Sequence, residues 1–136
     1  MWYRWPALLA LLIAASAQAF DFPIQVIEYV DDTKVVASIQ EEDMNAGLPW
    51  HPFKDAPPLS VEQALAAVAG AIDSDPVLAD ATLDEIELRR VPDQESHWHY
   101  MVKLKTEAPT PHHTHYYVVL MNGKVVPALK QPRMIR

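Results

Sequence analysis

The chain has no cysteine among its 136 residues. That excludes a disulfide framework, thiolate zinc and iron–sulfur sites, a thiol nucleophile and a lipid-anchored cysteine. Glycine is scarce, with three in all, and no Gly-x-Gly-x-x-Gly, Walker A or Gly-x-Ser-x-Gly arrangement occurs. His-Glu-x-x-His is missing as well. Nucleotide-binding, dinucleotide-binding and hydrolase readings fail for want of these parts, and the chain reads as a non-enzyme. Basic residues are few, 11 Lys and Arg against 18 Asp and Glu. An acidic domain repels phosphate backbones and anionic bilayers, and no basic stripe offsets this, so nucleic acid is not expected as a partner. No apolar run reaches the roughly 20 residues of a spanning helix.

What is present begins with a leader. Arg4 supplies a positive start, residues 7–15 a short apolar run, and Ala17-Gln18-Ala19 a small-x-small cleavage signal. Residues 1–19 therefore read as a signal peptide, with export to the bacterial periplasm or beyond and no membrane span after cleavage. Of 136 residues, 136 − 19 = 117 remain, which is one domain. Arg4 is the only charge in the leader, so the mature chain carries 10 − 18 = −8. Half of the residues are apolar and 21% charged, the balance of a globular protein.

Along residues 20–58 the pattern predicts a hairpin followed by a loop. Ile24, Val26 and Tyr29 precede a polar Asp31-Asp32-Thr33, and Val35, Val36 and Ile39 follow. Residues 41–58 hold Pro49, Pro52, Pro57 and Pro58, too dense for a helix or an inner strand. Ser60 with Gln63 three residues on forms a capping box. Val61, Leu65, Val68 and Ile72 then mark one apolar helical stripe that Asp73-Ser74-Asp75-Pro76 ends. Residues 82–91 and 97–105 read as strands. In the second, Trp98, Tyr100, Val102 and Leu104 face one way, and His97, His99, Met101, Lys103 and Lys105 the other. Residues 115–121 are strongly β-prone, Asn122-Gly123 signals a type I′ hairpin, and residues 124–129 return as a strand that Pro127 confines to an edge. The tail from Lys130 onward reads as loose. The expectation is an α+β domain: an antiparallel sheet of about four to six strands with one main α-helix packed on one face.

The helix opening LSVEQALAAV, the strand DEIELRRV, the aromatic strand WHYMVKL and the closing YYVVLMNGKVV together resemble a PepSY domain over residues 59–126. The hairpin and loop of residues 20–58 lie outside the resemblance, and the chain length makes them one globular unit with 59–130. The chain departs from the family in its Met121-Asn122 pair before the turn and in the Pro- and His-rich insert TEAPTPHHTH at 106–115. The resemblance implies a non-catalytic module outside the cytoplasmic membrane, acting on a peptidase or another envelope protein or peptide as an inhibitor or regulator. It carries no catalytic residues over.

Two sets of residues stand out as candidate sites. Five of the six histidines lie within 97–115. His97, His99 and Met101 share one strand face, while His112, His113 and His115 sit at the far end of the following loop. Eight residues at roughly 3.3 Å each separate the two groups, so two small sites are conceivable and one six-histidine site is not. Imidazole suits zinc and copper, and thioether suits copper(I). The plain alternative is a solvent-facing polar row and a polar turn, or a neutral-range pH sensor. The second set is Trp50 and Phe53 in the Pro-rich loop, a candidate partner contact; the alternative has both rings tucking the loop onto the core.

Overall fold

The computed structural model describes residues 22–30, 32–107 and 114–131. The expected leader at 1–19 and the last residues of the tail lie outside them, as do His112 and His113. Strands β1 (Ile24–Val30) and β2 (Thr33–Ile39) form the expected antiparallel hairpin. Asp32 in its turn has φ 63°, a left-handed conformation that Asp tolerates better than most residues. Ile24, Val26, Val35, Ala37 and Ile39 point to the same side and are buried.

The segment expected to be all loop opens with a short helix, α1 (Glu41–Asn45). Gln40 and Asp43 form a capping box in which the Asp43 carboxylate accepts from the Gln40 N–H at 2.9 Å. The prolines begin only at Pro49, which leaves these five residues free to turn. Residues 46–58 are irregular, as expected.

Helix α2 (Val61–Ile72) starts where the sequence puts it. The Gln63 N–H donates to Ser60 Oγ at 3.1 Å, and the Ser60 N–H donates to Gln63 Oε1 at 2.9 Å. Ser60→Ala removes one of these bonds and is expected to cost about 1 kcal/mol in chemical denaturation. The buried stripe is rotated from the expected one. Ala64 and Val68 are buried, Leu65, Ala67 and Ile72 partly so, and Val61 is 47% exposed. The small Ala64 and Ala67 side chains let that side of the helix approach the sheet most closely.

Strands β3 (Thr82–Arg90), β4 (Trp98–Lys105), β5 (Thr114–Leu120) and β6 (Val125–Pro127) form an antiparallel sheet in that order. β6 is an edge, as Pro127 requires. The turn before it is not type I′. Gly123 alone has positive φ, at 89°. The Leu120 N–H donates to Lys124 O at 2.9 Å, and the Gly123 N–H to Leu120 O at 2.8 Å. That is a three-residue loop with a left-handed glycine at its end.

After Ala128, whose N–H donates to Tyr116 O at 3.0 Å, the chain crosses to the first sheet. There β7 (Leu129–Lys130) pairs with β2, so this start of the tail is ordered rather than loose. The seven strands of the described residues thus divide between two antiparallel sheets, of order β1-β2-β7 and β3-β4-β5-β6. The domain is α+β in three layers. α2 covers one face of the larger sheet, and the smaller sheet covers the other. Tyr100, Val102, Leu104 and Val119 pack under Ala64 and Val68, with Trp98 at the rim, as the alternation of β4 predicts. Met101, Tyr116, Val118 and Leu120 pack under the β1–β2 hairpin.

Candidate partner-binding surface

Trp50 fastens the loop at 46–58. The Trp50 N–H donates to Ser96 O at 2.8 Å. Its indole N–H donates to Asp55 O at 2.9 Å. Its ring meets Trp98 edge-on, with centroids 5.2 Å apart and planes at 74°. Lys54 and Asp55 N–H both donate to His51 O, at 3.2 and 3.3 Å, closing a turn around Phe53. Phe53 sits in that turn with φ 71° and a fully exposed ring. Trp50 therefore tucks the loop onto the core, and Phe53 does not. The pair does two jobs, anchor and projection. A bulky residue with left-handed backbone is uncommon and marks a constrained, often functional, position.

The histidines follow a different logic. The face of β4 that carries His99 and Met101 is not a solvent-facing polar row. Each of these two side chains is 1% exposed, because the β1–β2 hairpin closes over that face. His97 precedes the strand and is half-buried beside Gly47, whose added Cβ would stand 3.3 Å from the His97 ring. Burial pulls the His97 pKa down. Burial pulls His99 down to about 4; the adjacent Arg89 cation acts in the same direction, and a backbone group of Tyr100 partly opposes it. His99 Nδ1 has no hydrogen-bond partner. His115 lies opposite Leu104, at the other end of β4 from His99. Five residues at roughly 3.3 Å each put it well beyond a shared coordination sphere. Among the described residues no group of three or more His, Asp or Glu side chains is placed to hold a metal ion. His112 and His113 lie outside those residues.

Charged side chains organise the rim between the sheets. Arg89 pairs with Glu28 across the sheets and with Glu87 beside it. Lys103 reaches Glu85 at 3.4 Å and Glu87 at 3.8 Å, and its ammonium stands 5.3 Å from the Tyr116 ring centroid. Lys105 pairs with Asp84 at 3.0 Å. Although burial favours the neutral form of Arg89, its two carboxylate partners hold its pKa raised. Hydrogen bonding to Arg89 is the main cause of the lowered Glu87 pKa. Asp43 is buried, which favours its protonated form, but Lys124 and the Gln40 N–H more than offset this and keep its pKa low.

Two acidic side chains have capping roles. Asp43 caps α1, and Asp75 Oδ1 accepts from the Val77 N–H at 3.0 Å to cap a 3₁₀ turn. The open hollow at the β3–β4 turn is lined by Arg90, Asp93, Gln94 and Glu95.

In comparisons with known proteins, no family model, no curated protein and no solved structure matches the chain significantly. Among the described residues no helix is long and apolar enough to cross a membrane.

Proposed function

We propose that the protein is an exported, non-enzymatic binding or regulatory module of the bacterial cell envelope, PepSY-like over residues 59–126, acting on a peptidase or another protein or peptide partner. The observation that carries this reading is Phe53. Its aromatic ring is fully exposed at the tip of a loop that Trp50 fastens to the domain. A fully exposed ring buries nothing in the isolated fold, and aromatic residues, Phe among them, are enriched at protein interfaces. The strained backbone beneath it supports the same reading, because strain persists where function maintains it. Export rests on the leader, and the partner class on the PepSY resemblance.

A photo-crosslinking amino acid placed at position 53 and expressed in a bacterial envelope tests the reading. The expected result is a discrete adduct with one protein or peptide. The adduct should be absent when the probe is moved to Leu129, which is also exposed. Phe53→Ala should abolish co-purification of the same partner and leave the thermal midpoint unchanged. Equal, diffuse labelling from both positions would refute a specific contact at Phe53.

A further inference from the structure

The two sheets end in four edge strands, and they differ in how they are protected. β6 is three residues long and ends in Pro127, and β7 is two residues long. Neither offers a partner strand much backbone. β1 is longer, with seven residues, and carries a single acid, Glu28. β3 is the longest strand, with nine residues, and it is an edge of its sheet. A register shift between Leu83 and Glu85 blunts its first turn of pairing. From Glu85 to Arg90 the ladder to β4 is regular. Among the described residues no backbone hydrogen bond reaches β3 from its open side. Unpaired N–H and C=O groups along a regular edge are a template for another strand.

The two faces beside that edge have distinct chemistry. α2 makes its main contacts with β4, β5 and β6. This leaves Leu83 46% and Leu88 37% exposed, with Ile86 between them only partly buried. The opposite face of the same stretch carries Glu85 and Glu87, with Glu28 of β1 beyond. Four carboxylates there, Glu28, Asp84, Glu85 and Glu87, are met by three cations, Arg89, Lys103 and Lys105. On this face the carboxylates outnumber the cations by one, while Arg90 stands on the other face with Leu88. A strand added beside β3 would place alternate side chains against Leu88 and Ile86 and against the glutamates, because side chains alternate across a sheet.

We propose that the β3 edge over residues 85–90 takes an extended peptide whose side chains alternate apolar and basic, as a fifth strand of the larger sheet. Backbone pairing supplies affinity, and the apolar strip and the acidic row select register and sequence. This surface is separate from Phe53 and does not depend on it.

The probe is a fluorescent heptapeptide of alternating valine and lysine, titrated into the purified protein by anisotropy at low and moderate salt. Saturable binding is expected. It should weaken by about tenfold or more when lysine is replaced by glutamate, when the same residues are scrambled, or when alternate amides of the probe are N-methylated. Leu88→Lys in the protein should weaken it to a similar extent, with thermal unfolding measured alongside to show that the variant is folded at the assay temperature.

Each of the following outcomes would overturn the proposal. One is equal binding of the N-methylated peptide, which would reduce the effect to surface charge. Another is loss of binding in Tyr29→Lys but not in Leu88→Lys, which would move the site to β1. Light scattering that shows a β3-mediated dimer sensitive to Leu88→Lys would make a second copy the occupant. The last is no binding at millimolar peptide.

Discussion

Lowering the pH from 7 to 4.5 is expected to remove about 2–3 kcal/mol of stability through His99 alone. The side chain is buried between the two sheets, next to the Arg89 guanidinium, and its pKa is pulled down to about 4. In the unfolded chain the same imidazole titrates near 6.5. Between these values the unfolded state binds a proton that the folded state does not, so acid favours unfolding. The contribution is fully present above pH 6.5, falls through the window, and levels off near pH 4, where the folded state also protonates. His97, lowered by burial, acts with the same sign. Asp43 and Glu87 have lowered values too, but their loss lies further down, below the ordinary carboxylate range.

Urea unfolding at pH 7, 6, 5 and 4.5 measures the slope. His99→Leu, close in volume and without an unpaired nitrogen, should flatten most of it and leave neutral-pH stability equal or higher. A wild-type profile already flat between pH 7 and 5 would mean that the imidazole is not sealed from water in the fold.

Tyr100→Ala is expected to cost about 3–5 kcal/mol, a large share of the roughly 5–15 kcal/mol that holds a domain together. Tyr100 is 2% exposed at the centre of the layer between α2 and the larger sheet. Its hydroxyl donates to Leu59 O at 2.7 Å, fastening the chain just before the α2 N-cap. Two effects are therefore lost together, the ring's packing and the tie to the helix start. Tyr100→Phe separates them. It keeps the ring and leaves the Leu59 carbonyl without that donor, at about 1 kcal/mol. Equilibrium denaturation of the three proteins checks the ordering. Equal losses for Phe and Ala would mean that the hydrogen bond, not the ring, carries the layer.

Local chemistry made much of the fold legible in the chain. α2 could be placed because Ser60 and Gln63 satisfy each other's backbone N–H groups within four residues, whatever the rest of the molecule does. The β1–β2 hairpin and the helix-facing row of β4 were legible because a period of two depends only on strand geometry. Trp50 and Phe53 show the limit of this. They look alike in sequence, and only the positions of Ser96 and Trp98, more than forty residues on, decide which ring is the anchor.

By itself, then, the sequence determined the lack of cysteine, the strand and helix periods, and the acidic charge. The tertiary structure alone decided that the strands split into two sheets, that β7 joins β2 across the Ala128 crossover, and that His99 and Met101 are interior. The physical reason is common to all three. A strand's alternation states that it has two faces, but not what covers each one. Coverage depends on long-range packing, which here brings a hairpin more than fifty residues upstream over β4 and leaves β3 as an open edge.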